Sequence, residues 1–161
     1  MNKSIRIGGA SGFWGDSYRA TEQLIQDTTL DFIVYDYLAE ITMSIMARAR
    51  AKSPSAGYAT DFIDAVIKPY IKRISTHNTR LISNAGGVNP EKCAEVIGEL
   101  VKDLQLNLKV SCITGDDLMG SAQEIKNMNC KEMFSDIKFP ELDKVASMNA
   151  YLGAFAISCL L

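Results

Sequence analysis

Two glycine-rich stretches and a set of carboxylates are the residues of this chain whose types and spacing suit chemistry. The first stretch, IGGASGFWGD at residues 7–16, holds Gly8, Gly9, Gly12 and Gly15, with Phe13 and Trp14 between them and Asp16 at its end. The second, SNAGGVN at residues 83–89, holds Asn84, Gly86, Gly87 and Asn89. Glycine reaches positive φ and lets a ligand or another backbone come close. Amides bared in this way, at the start of a helix, can hold an anion. Asp16, Asp36, Glu40, Asp116 and Asp117 add carboxylates, and two or more converging could hold Mg²⁺ or do acid–base work. The plainer alternative is that the glycines only turn the chain, that Asp16 and Asp116 cap helices, and that Asp36 pairs with an arginine.

The elements that must position these residues alternate. Strands are expected at residues 4–8, 31–36, 80–83 and 108–113 from their short apolar runs. Helices are expected at 18–26, 38–52, 61–75, 90–105 and 118–128, with the start of another at 147–161. Thr60 and Asn89 are expected N-caps, Pro90 suits a first helical position, and Pro69 is expected to kink or break its helix. Met43, Ile45 and Met46 read as helix core, and Tyr35 and Tyr37 as core and rim. Strands alternating with helices predict a single α/β domain over residues 1–161, layered and Rossmann-like, with a mostly parallel sheet of about four strands.

In such a sheet ligands bind beyond the carboxyl ends of the strands. Each candidate loop follows a predicted strand, which makes Asp36 and Glu40 the candidate catalytic residues. The candidate ligand-binding residues are Gly8, Gly9, Gly12, Phe13, Trp14, Gly15, Asp16, Tyr37, Asn84, Gly86, Gly87, Asn89, Gly115 and Asp116. Trp14 would cover a ligand or anchor a partner. The residues specify no cofactor and no metal site. Gly9, Gly12 and Gly15 form G-x-x-G-x-x-G, which resembles the nucleotide-binding turn of the extended short-chain dehydrogenases, and Asp36 stands where a ribose-binding acid belongs. Against that reading, no tyrosine is followed four positions later by lysine.

The composition narrows the class. The chain has 161 residues, is 47% hydrophobic and carries a formal net charge of −2. That suits one soluble domain and gives no basic footprint for nucleic acid. The Arg48, Arg50 and Lys52 group reads as a solvated helix face. The N-terminus lacks an apolar signal core, and no apolar run approaches the length of a membrane span, so a cytoplasmic protein is expected. Cys93, Cys112, Cys130 and Cys159 contain no CxxC and read as reduced, mostly buried residues; a nucleophilic cysteine paired with His77 is the lesser alternative. The apolar run ending at Leu161 has no cap, which suggests a helix cut short of its natural end.

Four stretches together carry a resemblance. RIGGASGFWGDS, DFIVYDYLAEITMSIMARARAKSPSAGYATDF, RLISNAGGVNP and NAYLGAFAI are similar, in order and spacing, to the N-terminal domain of the acyclic terpene utilisation protein family. The likeness runs from about Arg6 to the end and is thinnest over residues 129–139. It implies a part in breaking down citronellol- and geraniol-type terpenoids, by a pathway that also carboxylates acyl-CoA, and a longer parent domain. An enzyme acting on an isoprenoid or branched acyl substrate, CoA-linked in one form, is the function expected. A small-molecule ligand is expected, with a homo-oligomer or carboxylase-type partner. A nicotinamide-binding dehydrogenase, a non-catalytic carboxylase subunit or an inactive truncated product are the alternatives.

Overall fold

The computed structural model describes residues 4–27 and 29–161. The chain divides into two compact units, Met1–Cys112 and Ile113–Leu161.

In the first unit, strands β1 (Ile7–Ser11), β2 (Phe32–Tyr35) and β3 (Arg80–Ser83) form a parallel sheet in the order β1-β2-β3. Parallel strands need long crossovers. Helix α1 (Ala20–Leu24) fills the first; α2 (Glu40–Lys52) and a second helical run ending in α3 (Lys68–His77) fill the other. The β-branched and aromatic FIVY run of β2 makes the central strand. Ile33 and Tyr35 on one face are 0% and 2% exposed, whereas Phe32 and Val34 are half-buried. Complete burial of Ile33 contributes about 1.5–3 kcal/mol.

β1 lies three residues later than its apolar residues predict. Its inward positions are Gly8 and Ala10, because α1 packs there: a Cβ on Gly8 would stand 3.0 Å from Leu24 Cδ2. Tertiary packing overrides the poor strand propensity of glycine.

The helical run before β3 extends from Thr60 to His77, so Thr60 lies within its first turn. Pro69 neither ends nor splits it. A π-helical segment, Phe62–Ile67, precedes the proline, and the Lys68 N–H reaches back five residues to the Ile63 carbonyl. The widened turn accommodates the ring and the missing donor. Asn78, at φ 56°, closes the run in the left-handed conformation. The core between helices and sheet includes Ile25, Met46, Phe62, Val66, Ile71 and Ile74. Ile45, expected beside Met46, is instead 49% exposed.

Helix α4 (Pro90–Asp103) begins at its predicted proline and lays Val96, Ile97, Leu100 and Val101 on the core. No strand forms at residues 108–113. Leu106 and Leu108 are half-buried on the core, whereas Asn107, Lys109 and Val110 are exposed.

The second unit holds α5 (Ala122–Asn127) and α6 (Phe155–Ser158), with an isolated antiparallel bridge between Asp117 and Asn149. The helix predicted over 147–161 shrinks to α6. Asn149 and Ala150 are drawn into extended pairing with residues 116–117, and Gly153 turns the chain at φ 71°. Among the described residues of the whole chain, no helix is long and apolar enough to cross a membrane.

Candidate functional site

Register sets the site. Ser11 pairs with Tyr35, and Tyr35 with Ser83, so the three loops that follow leave the sheet along one edge. Hydrogen bonds join them across that edge. The Asp36 N–H donates to the Ser11 carbonyl at 3.3 Å, and the Ser11 hydroxyl donates to the Asp36 carbonyl at 3.4 Å. Asn84 uses both ends of its amide: Nδ2 donates to Asp36 Oδ1 at 2.7 Å, and Oδ1 accepts from the Tyr37 N–H at 2.7 Å. Ser11, Asp36 and Asn84 thus form a continuous rim. One oxygen of the exposed Asp36 carboxylate stays without a protein partner among the described residues.

The glycine turn is folded on itself. The Gly12 N–H donates to Asp16 Oδ2 at 2.9 Å, and the Asp16 N–H donates to the Phe13 carbonyl at 3.2 Å. The Gly12 amide therefore already holds an internal carboxylate. Gly15 carries φ 86°, a conformation that favours glycine. Gly9, Gly12 and Gly15 have open space where a side chain would stand, with only Asp16 near Gly12, at 3.9 Å. α1 begins only at Ala20 and lasts five residues, too short and too distant to present an N-terminus to a phosphate there.

The glycines after β3 differ. A Cβ on Gly86 would stand 2.7 Å from both Pro90 Cα and Cβ, and one on Gly87 would overlap the Met46 sulfur and lie 2.7 Å from the Gly57 carbonyl oxygen. Both have a packing reason to be glycine. So does Asn89 have a structural one: its buried Nδ2 donates to the Pro54 and Ala56 carbonyls at 2.9 and 2.8 Å and holds that loop. Its side chain does not cap α4. Arg50 donates to the Val88 carbonyl, tying α2 to the same loop.

Glu40 lies exposed in the first turn of α2. Tyr37, expected at the rim, is 6% exposed and stacks edge-on with Tyr35 and Phe62. Tyr35 donates to or accepts from Thr21 Oγ1 at 3.0 Å. Gly115, at φ 111°, and Asp116, whose Oδ2 accepts from Asn149 at 2.9 Å, belong to the second unit. The described residues contain no group of three histidines, cysteines or acids that could hold a metal ion.

A cleft opens beside the rim, with room of about 10 Å³, enough for about one water. Ser11, Asp16, Ser17, Tyr18, Tyr37 and Asp61 face it, with Ala65 and Val66 as its apolar wall. Trp14 is half-buried against the core, and its indole N–H donates to Asp61 Oδ1 at 2.5 Å. Burial, and then the charge of Asp61, push the Tyr37 phenol well above its ordinary range. Burial likewise raises Tyr35 to about 12. Both stay protonated at neutral pH. Tyr18 and Asp61, which line the cleft, are not among the residues the sequence singles out. Asp61 comes from the crossover helix rather than from a loop after a strand, and its place near the helix start was the one available signal.

Cys93 is buried, which pushes its thiol up to about 11, while Cys112, Cys130 and Cys159 are exposed rather than buried as expected.

No curated protein and no solved structure matches the chain. A family model described as Acyclic terpene utilisation family protein AtuA matches residues 5–161, and this chain, by nearly its whole length, belongs to that family.

Proposed function

We propose that the chain is a catabolic enzyme domain of acyclic terpene utilisation that binds an isoprenoid or branched acyl substrate at the carboxyl edge of its sheet. The observation that carries this reading is the Ser11–Asp36–Asn84 hydrogen-bond chain, which joins the ends of three separate strands along one edge of the sheet, with a cleft beside it at Ser11. Asp36, with one carboxylate oxygen free among the described residues, and Glu40 are its acid–base candidates. In this reading the three strands belong to a layered, Rossmann-like domain that works in the cytoplasm, as a homo-oligomer or beside a carboxylase-type partner.

The geometry gives the nicotinamide reading less support. Gly12 already donates to Asp16, and the short α1 starts away from the turn. Thermal-shift measurements on the intact chain separate the two, since a ligand of the folded state raises the melting temperature by mass action. The reading expects a rise with branched-chain alcohols, acids or acyl-CoA esters, and none with NAD(H) or NADP(H). A rise with the nicotinamides alone would overturn it. Asp36→Asn, which keeps the acceptor for Asn84, is expected to weaken or abolish turnover without lowering the melting temperature; full turnover would remove Asp36 from its role.

A further inference from the structure

The cleft is lined by acceptors and hydroxyls. Asp16 and Asp61 bring carboxylates, and Tyr18 and Tyr37 bring phenols; no lysine, arginine or histidine is among the described residues that line it. An anionic group entering this space meets two carboxylates with no counter-charge, and such like-charge juxtaposition is how sites reject a ligand. A neutral hydroxyl meets complementary groups. Trp14 occupies one oxygen of Asp61, and the other has no protein partner among the described residues. Tyr37 keeps its proton and faces the same cleft with its hydroxyl uncommitted among those residues. The available volume matches one hydroxyl group rather than a carbon skeleton. The exposed rings of Phe13 and Tyr18, at 58% and 69%, lie in the same turn and offer apolar surface for a chain outside the cleft.

Resting on the reading that this rim binds the substrate, we propose that Asp61 is a specificity-determining residue: its free carboxylate oxygen accepts a hydrogen bond from the hydroxyl of an uncharged branched alcohol, Tyr37 donates to that same hydroxyl oxygen, and the cleft thereby selects an alcohol over the matching carboxylate.

Trp14 is the sole tryptophan of the chain and is bonded to Asp61, so its fluorescence reads the cleft directly. The intact protein is titrated with 3,7-dimethyloctan-1-ol and, separately, with 3,7-dimethyloctanoate at neutral pH. The alcohol is expected to change Trp14 emission saturably and to bind about tenfold more tightly than the carboxylate, the scale of one hydrogen bond to a charged group. Asp61→Asn keeps an acceptor for the indole and is expected to bring the two ligands within about threefold of each other. Tyr37→Phe, which keeps the ring, is expected to weaken the alcohol by about three- to tenfold. Equal or tighter binding of the carboxylate by the unaltered chain would overturn the proposal, as would an unchanged preference in both variants. If Asp36→Asn alters alcohol binding while Asp61→Asn does not, the rim reading stands and the role of Asp61 falls. If neither ligand perturbs the fluorescence or the rim amides, the rim reading falls and takes this inference with it.

Discussion

Replacing Gly86 with alanine tests whether the second glycine stretch serves folding rather than a ligand. The added Cβ would stand 2.7 Å from Pro90 Cα and from Pro90 Cβ. Ordinary carbon contacts lie at about 3.5–4.0 Å, so the overlap is close to 1 Å on each. The obstacle is backbone and a rigid ring at the first turn of α4, and neither can swing aside as a long side chain would. Overpacking of this kind costs about 1–3 kcal/mol. For a unit the size of Met1–Cys112, a loss of about 2 kcal/mol lowers the melting temperature by roughly 8 °C. Gly9→Ala is the matched control, because a Cβ there meets nothing within 4 Å. Its effect should stay within about 0.5 kcal/mol, or about 2 °C. Thermal unfolding followed by circular dichroism measures both. Equal melting temperatures for the two variants would refute the argument that Gly86 is held by packing and Gly9 is not.

Other outcomes follow from the same contacts. Asn89→Ala removes two donors from the Pro54 and Ala56 carbonyls and should cost about 1–3 kcal/mol by urea denaturation. Tyr35 titrates near 12 in the folded chain against 10.0 ordinarily, through burial; its folded value is raised, so its contribution is intact below about pH 10 and is lost as pH rises through about 12. That loss approaches about 3 kcal/mol, and alkaline unfolding curves should show it. Tyr35→Phe should flatten that part of the pH dependence while costing about 1 kcal/mol at neutral pH, since Thr21 loses its buried partner.

Much of the sheet was legible because its signals are local. The RLIS run of β3 and the Asn-Pro start of α4 appear where their residue types predict. β1 was misplaced because its glycines carry no propensity signal, and Gly8 is explained only by the packing of Leu24 and Leu30 against it. The segment at 108–113 has a strand's residue types but forms no strand, a difference that its own residues do not signal. Pro69 reads as a breaker by rule, but a π turn absorbs it. The rule that ligands meet strand ends singles out Asp36, Asn84 and the glycine turn, and the structure brings those loops to one edge of the sheet. The rule could not separate Gly86, Gly87 and Asn89, which have packing duties, from Gly9, Gly12 and Gly15, which face open space. It also passed over Asp61, which reaches the cleft from a helix 47 positions beyond its partner Trp14.

The most direct test is an amide-resolved NMR titration of the intact, isotope-labelled chain with 3,7-dimethyloctan-1-ol. The account predicts that the amides of Gly12, Trp14, Asp36, Tyr37 and Asn84 shift together along one binding curve, because all five lie in the loops that follow β1, β2 and β3. Shifts confined to residues 113–161, or spread over the surface without a shared curve, would contradict it.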